Sequence, residues 1–176
     1  MEYSFVIHHI IIMKTLRNIL ILALIVGAGI STASAQNSGK DKKAVKITAI
    51  KNDVNGRHYT FLANTATPLR GRTIQLTSEY DVRITPDSVI SFLPYFGTAY
   101  MDVPYNPTDG GVKFSSTKFD YKVSERKKGG WEITISPKDV KNLERLVLSI
   151  SSDGYASLSV TSTNRDPISF YGYLKD

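Results

Sequence analysis

The sequence contains no cysteine and little histidine. Disulfide bonds, thiolate metal sites and cysteine nucleophiles are therefore excluded. His8 and His9 lie ahead of the first basic residue, which leaves His58 as the one histidine in the rest of the chain. The usual zinc and copper ligand sets need a second imidazole or a cysteine, so we expect neither a metal site nor a cofactor. His58 has no nucleophile elbow to pair with, so we interpret it as a surface residue and expect no catalytic residue there.

A long, uninterrupted apolar run is also missing. Residues 19–30 are apolar, but they fall short of the roughly twenty residues that a membrane-spanning helix needs. Lys14 and Arg17 precede this run, and Ala-Ser-Ala at 33–35 follows it as a small-x-small cleavage signal. This order predicts a secretory signal peptide over residues 1–35, with no membrane span left after processing.

The start and the destination of the mature chain follow from the same segment. An apolar stretch lies ahead of the positive charges, which a signal peptide does not need, so we predict that translation starts at Met13. No cysteine follows the cleavage signal, which excludes lipid attachment there. We expect a periplasmic or secreted protein with a mobile N-terminal arm at 36–43 and a single β domain at 44–176.

Neither sign of charge dominates strongly. Lysine and arginine total 22 against 16 acidic residues, a net charge of +6. The basic excess lies mainly in GKDKK and ERKKGG, and elsewhere acidic and basic residues alternate. A nucleic-acid surface would need a more concentrated basic patch, so we expect a solvated surface and no nucleic-acid partner.

The chain is rich in period-two alternation of apolar and polar residues. From Arg57 onward, stretches of Val, Ile, Thr, Tyr and Phe are separated by short turn-forming clusters, which is typical of antiparallel strands. No helical stretch long enough for a βαβ crossover follows. We therefore predict an all-β antiparallel meander, small and barrel-like, with a two-sheet sandwich as the alternative. About eight strands are expected: RHYTFLAN, TIQLTSEYDVRI, SVISFLPYF, VKFSSTKFDYKV, WEITIS, LERLVLSIS, YASLSVTS and ISFYGYLKD.

The stretch AVKITAIKNDV, ahead of these strands, fits two patterns. Apolar residues alternate over residues 45–49 as in a strand, whereas Ile47, Ile50 and Val54 share one face of a helix. We predict a short N-terminal helix that Asn55-Gly56 ends.

The candidate binding residues are aromatic and lie in VISFLPYFGTAYMDVPYNP, residues 89–107. Aromatic walls with a few polar tips suit apolar ligands and sugars, although aromatic residues also fill the cores of small β proteins. Tyr100 and Tyr105 flank a proline-rich loop, so we expect these two to be exposed. The predicted ligand-binding residues are Tyr95, Tyr100 and Tyr105.

Within this stretch we expect one part to be structural and the following part to make contacts with a ligand or partner. Phe96 follows Phe92 and Leu93 in a strand that is apolar on both faces, which predicts burial of LPYFG. Truncating Phe96 to alanine would then cost about 3–5 kcal/mol. The following segment, TAYMDVPY, would carry any contact function, and Tyr105→Ala would cost about 1 kcal/mol or less.

Two further motifs could support catalysis, but each gives a weaker signal than the aromatic stretch. Glu79 and Asp81, or Asp120, Glu125 and Glu132 near one hairpin, could supply the carboxylate pair of a glycoside hydrolase. SSTK at 115–118 has the Ser-x-x-Lys spacing of penicillin-recognising enzymes, but on a strand its serine and lysine would face opposite sides. We interpret that match as chance.

The chain resembles a family of exported bacterial proteins, domain of unknown function 4251. The matching pattern begins FLANTATPLRGRTIQLTSEYDVRITPDSVISFLPYFGTAY and continues through GGVKFSSTKFDY, KKGGWEITI, LVLSISSDGYASLSV and NRDPISFYGYL. The resemblance implies export, a single domain and a Gram-negative source of the Bacteroides type. It implies no activity, so no catalytic residue is carried over.

These observations favour a non-enzymatic exported protein of the cell envelope. It would bind an apolar or glycan-like ligand, or a protein partner in the envelope. The alternative is a cofactor-free hydrolase that uses carboxylates.

Overall fold

The computed structural model describes residues 33–101 and 110–175, with side chains from residue 41 onward. The chain divides into two compact units, Met1–Ala44 and Val45–Asp176. Helix α1 spans Ala33–Gly56. None of the described helical residues forms a segment with the length and apolar character of a membrane span.

Within the described residues, nine strands follow the helix and form one antiparallel sheet. In chain order they are β1 Tyr59–Pro68, β2 Ile74–Ile84, β3 Val89–Leu93, β4 Val112–Ser116, β5 Phe119–Glu125, β6 Trp131–Pro137, β7 Leu143–Ile150, β8 Tyr155–Ser162 and β9 Ile168–Lys175. Their order in the sheet is β4-β3-β2-β1-β9-β8-β7-β6-β5. The predicted all-β antiparallel meander is confirmed.

The two edge strands, β4 and β5, are consecutive in the chain. Every neighbouring pair in the sheet is antiparallel, so the two edges run in the same direction. Only Thr117 and Lys118 separate them, which is too short for a parallel crossover. Residues 112–125 are therefore one kinked strand, whose first half pairs with β3 and whose second half pairs with β6. This shared strand brings the sheet edges together into the nearly closed barrel that the sequence predicted.

Asp139 holds the kink of this strand. Its carboxylate accepts hydrogen bonds from the Ser116 hydroxyl, from the Thr117 amide at 2.9 Å and from the Lys118 amide at 3.2 Å. The Lys138 amide also donates to the Lys118 carbonyl at 2.7 Å. The Ser116 hydroxyl, followed by the Thr117 amide, holds the pKa of the Asp139 carboxyl below its usual range. One carboxylate thus satisfies the donors that the kink takes out of the sheet ladder.

The interior of the sheet is filled by side chains. Inward residues alternate with outward ones along the strands, most regularly in β6, where Ile133 and Ile135 are buried. The largest buried side chains include Phe61, Leu148 and Phe170, each at most 1% exposed. A barrel of about eight strands is just wide enough for its own side chains to fill it. The interior is consequently a packed core.

Helix α1 packs on the core through the face that the sequence predicted. Ile50 and Val54 are buried, whereas Val45 is 69% exposed, so the strand interpretation of this stretch is wrong. The Tyr121 hydroxyl donates to the Val54 carbonyl at 3.1 Å and lies 3.0 Å from the Tyr59 hydroxyl. The helix ends at Gly56, as predicted. Its start at Ala33 places residues 36–43 within its bounds, and the mobility of that arm stays a prediction.

The two ends of the sheet differ. Residues 57–58 join α1 to the start of β1, so the start of β1 lies at the α1 end. Strand ends alternate in an antiparallel meander. The β3–β4, β6–β7 and β8–β9 connections therefore lie at the opposite end, which we call the loop end.

Candidate functional site

At the loop end, the chain after β3 lies against the β8–β9 turn. Ala99 and Arg165 form an antiparallel bridge. The Tyr100 amide donates to the Asn164 carbonyl at 2.8 Å, and the Asp166 amide donates to the Thr98 carbonyl at 2.9 Å. These backbone bonds fix residues 98–100 on a turn that is distant in sequence.

Tyr95 is tied into this arrangement at both its ring and its hydroxyl. The hydroxyl donates towards the carbonyls of Thr98 at 3.0 Å and Asp166 at 2.9 Å. The Arg165 guanidinium carbon lies 4.9 Å from the centre of the Tyr95 ring. Burial is the main cause that raises the pKa of Tyr95 above its usual value. Tyr95 therefore positions the segment, and its role as a ligand contact stays a prediction.

Tyr100 presents its ring to solvent. The side chain is 60% exposed, yet its hydroxyl donates to the carboxylate of Asp166, a residue that is only 6% exposed. A ring held at its tip by a buried carboxylate loses little conformational freedom when it binds something. Phe96 and Met101, in the same segment, are 41% and 62% exposed. We call Phe96, Tyr100 and Met101 the exposed trio.

Of the predictions for this segment, the structure tests the burial of Phe96 and does not test the role of Tyr105. The expected burial of Phe96 is wrong, because β3 ends at Leu93 and the chain leaves the sheet at Pro94. Tyr105 lies outside the described residues, so its role as a ligand contact stays a prediction.

The apolar outer face of β3 is also less covered than predicted. Ile90 and Phe92 are 38% and 46% exposed. The Phe92 ring stacks on Tyr80 with 5.8 Å between ring centroids, and the Lys113 ammonium lies 4.9 Å from its centre. The sequence pattern predicted a second layer of residues over this face. In the structure only the Tyr80 ring and the Lys113 side chain lie against Phe92 among the described contacts.

The residues that the sequence interpretation missed are Asn164, Arg165 and Asp166. They lie in TNRDP, one of the turn-forming clusters between the predicted strands, yet Asn164 and Asp166 are buried. The signal that could have found them is three consecutive polar residues ahead of a proline, each able to bond backbone at a strand connection. Their partners lie more than fifty positions away, which local patterns do not reveal.

Three of the five candidate carboxylates of the hydrolase hypothesis are paired with cations. Asp81 lies 2.8 Å from Arg83, Asp120 lies 2.8 Å from Lys138, and Glu125 lies 3.2 Å from Lys51. Among the described residues, no group of three or more His, Cys, Asp and Glu side chains is placed to hold a metal ion.

With the fold and the site in place, the chain can be compared with known proteins. Residues 41–174 match the family described as Domain of unknown function (DUF4251). The chain belongs to the DUF4251 family. Its fold is similar to the crystal structure of a DUF4251 family protein from Bacteroides eggerthii DSM 20697, with 18% sequence identity and a TM-score of 0.54. That likeness covers 74% of this chain and 87% of the other. No match was found among functionally curated proteins.

Proposed function

We propose that this DUF4251 protein is a non-enzymatic binding protein of the bacterial cell envelope that holds a neutral glycan on Tyr100. The carrying observation is a ring that is 60% exposed while its hydroxyl is fixed to the buried Asp166. A sugar ring presents an apolar C–H face, which is attracted to the negative face of an aromatic ring.

The packed interior supports a surface site. Phe61 and Phe170 are fully buried at the centre of the sheet, so an internal lipid would have to displace core side chains. At the loop end, a pocket between β4, the β6–β7 connection and β8 has a volume of about 80 Å³. Pockets for drug-sized ligands usually have about 300–1,000 Å³. A glycan lying across exposed rings needs no deep cavity.

The proposed cell-envelope location is supported by the secretory signal predicted at residues 1–35 and by the match to a family with a member in Bacteroides. Export would bring the protein into contact with the glycans of the cell envelope.

Titration of the mature protein with a panel of neutral oligosaccharides, followed by NMR, tests the proposal. Tyr100→Ala should weaken binding by about tenfold or more, the size of a lost aromatic contact. Tyr155→Ala is the matched control, because Tyr155 is 71% exposed on β8, away from the exposed trio. Saturable binding that Tyr155→Ala weakens and Tyr100→Ala does not would place the glycan elsewhere. Absence of binding across the panel would refute the proposed function.

A further inference from the structure

A second feature of the loop end is a small pocket beside the β8–β9 turn. It lies between the start of β4, the β6–β7 connection and the end of β8, with a volume of about 80 Å³. One water molecule occupies about 30 Å³ in the liquid. The pocket therefore has room for a group of a few heavy atoms, and too little for a hydrocarbon chain or a sugar ring pair.

The polar side chains around this pocket are hydrogen-bond donors. They belong to Lys113, whose ammonium lies over the Phe92 ring, and to Lys141, Asn142, Ser162 and Arg165. None of the described lining residues is an Asp or Glu. Three carboxylates lie next in sequence to lining residues, and each is engaged elsewhere. Asp139 accepts hydrogen bonds at the kink of the β4–β5 strand, Glu144 lies 3.7 Å from Arg145, and Asp166 accepts the Tyr100 hydroxyl. Ammonium, guanidinium, amide and hydroxyl groups together suit a negatively charged oxygen ligand.

Arg165 is the residue that points most directly to a missing acceptor. Its guanidinium is held in place by the Tyr95 ring and by an Nη1 hydrogen bond to the Gly110 carbonyl at 2.8 Å. Its Nε is buried and has no hydrogen-bond partner among the described residues. Buried polar groups are almost always paired, so an unpaired donor of a charged side chain needs an explanation.

The backbone on the opposite wall is also constrained. Asn142 has a φ of 63°, in the left-handed region, and its carbonyl accepts a hydrogen bond from the Thr163 amide at 3.0 Å. Asparagine tolerates this region in turns, so the conformation fits the turn between β6 and β7. The β6–β7 connection and the β8–β9 turn are thus locked to each other across the pocket.

We propose that this pocket binds a small oxyanion, the phosphate or carboxylate group of a ligand, with Arg165 as its main donor and Lys141 as its second cation. The group enters as an anion and accepts hydrogen bonds from both residues and from the Ser162 hydroxyl. This site is distinct from the neutral-glycan contact, because Tyr100 is not among the residues that line the pocket.

Titrations with sodium phosphate and with sodium acetate, against sodium chloride at equal ionic strength, test the proposal by NMR. Saturable shifts of the amides at 141–142 and 162–165 are expected with at least one anion. Response to phosphate alone assigns a phosphoryl group, and response to acetate alone assigns a carboxylate. No saturable shift with either anion would overturn the proposal.

Three variants locate the binding. Arg165→Gln should weaken anion affinity by about tenfold or more, as expected for a lost charge-assisted hydrogen bond. Lys141→Gln should weaken it several-fold and keeps the test valid if Arg165→Gln does not fold. Lys138→Gln is the control, because Lys138 pairs with Asp120 outside the pocket and should leave the affinity unchanged. An equal loss in Lys138→Gln and Lys141→Gln would show non-specific attraction and refute the site.

Discussion

The burial of Leu93 and Phe96 depends on where the chain leaves the sheet. It leaves after Leu93, so Leu93 lies inside the sheet and Phe96 lies beyond it. Leu93 is the last residue of β3 and is completely buried. Phe96 follows Pro94, which cannot donate to a sheet ladder, and 41% of it is exposed. From side-chain size and hydrophobicity alone, Phe96 would be expected to be at least as buried as Leu93. The end of the strand between them reverses this expectation.

We therefore expect Leu93→Ala to lower the free energy of unfolding by about 2–5 kcal/mol, as for a core leucine. Phe96→Ala should lower it by about 1 kcal/mol or less, as at a partly exposed site. Denaturant melts of both variants measure the difference. A larger loss for Phe96→Ala would return Phe96 to the core and contradict the packing described above.

At the scale of the strands, β9 approaches β1 closely at one glycine. Gly172 pairs with Ala63, next to a register irregularity between Ala63 and Thr65. A Cβ atom on Gly172 would lie 1.8 Å from the Leu62 carbonyl oxygen, so the backbones of the two strands would have to separate. The central β1–β9 pairing depends on the absence of a side chain at this position.

Gly172→Ala should consequently lower the free energy of unfolding by about 2 kcal/mol or more, because the clash involves backbone rather than a flexible side chain. Gly56→Ala is the control, since a Cβ there meets nothing within 4 Å. It should be neutral or slightly stabilising at the end of a helix. Thermal melts compare the two, and a Gly172→Ala protein as stable as Gly56→Ala would contradict the close approach.

The kink of the β4–β5 strand should make stability depend on acidic pH through Asp139. Hydrogen bonds to its carboxylate lower its pKa in the folded protein. The stabilisation is therefore present above the unfolded-state pKa of about 4 and is lost as the pH falls through the lower folded-state value.

Melting temperatures at pH 7 and at pH 3 measure this dependence. Asp139→Asn should melt lower than the wild type at pH 7, because an amide cannot accept from all three donors. The gap should narrow at pH 3. Asp120→Asn, which removes an exposed ion pair with Lys138, should show a smaller gap at pH 7. Equal gaps for the two variants would mean that Asp139 does not hold the kink.

For the whole molecule, the first prediction concerns removal of the predicted signal peptide. The Ala-Ser-Ala sequence at 33–35 predicts cleavage between Ala35 and Gln36 on export. Intact-mass measurement of the exported protein should give a chain that begins at Gln36. A species that retains residues 13–35 would show that the segment acts as an anchor.

Local pattern was enough to predict most of the fold. The period-two stretches became strands because one side of each faces the packed interior, and Ile50 and Val54 placed the helix correctly. The stretch VKFSSTKFDYKV is predicted as one strand, and in the structure a kink at Thr117 and Lys118 divides that strand into β4 and β5. The division depends on Asp139, which is 22 positions beyond Thr117, and no local pattern contains that partner.

The candidate site was predictable only in part, for the same reason. Tyr95 and Tyr100 could be selected because aromatic residues and prolines cluster there. Their different roles come from Arg165 and Asp166, which cover one ring and fix the other. Those partners become neighbours only when the β8–β9 turn meets the chain after β3.

The kinked strand also affects how molecules meet one another. An exposed sheet edge can template a strand from a second molecule and so begin aggregation. Here the two sheet edges are the two halves of one kinked strand, five residues in β4 and seven in β5. The β5 piece exposes the charged residues Asp120, Lys122 and Glu125. Short, charged and offset edges pair poorly with another sheet, so closing the barrel through a shared strand also protects the protein from edge-to-edge polymerisation.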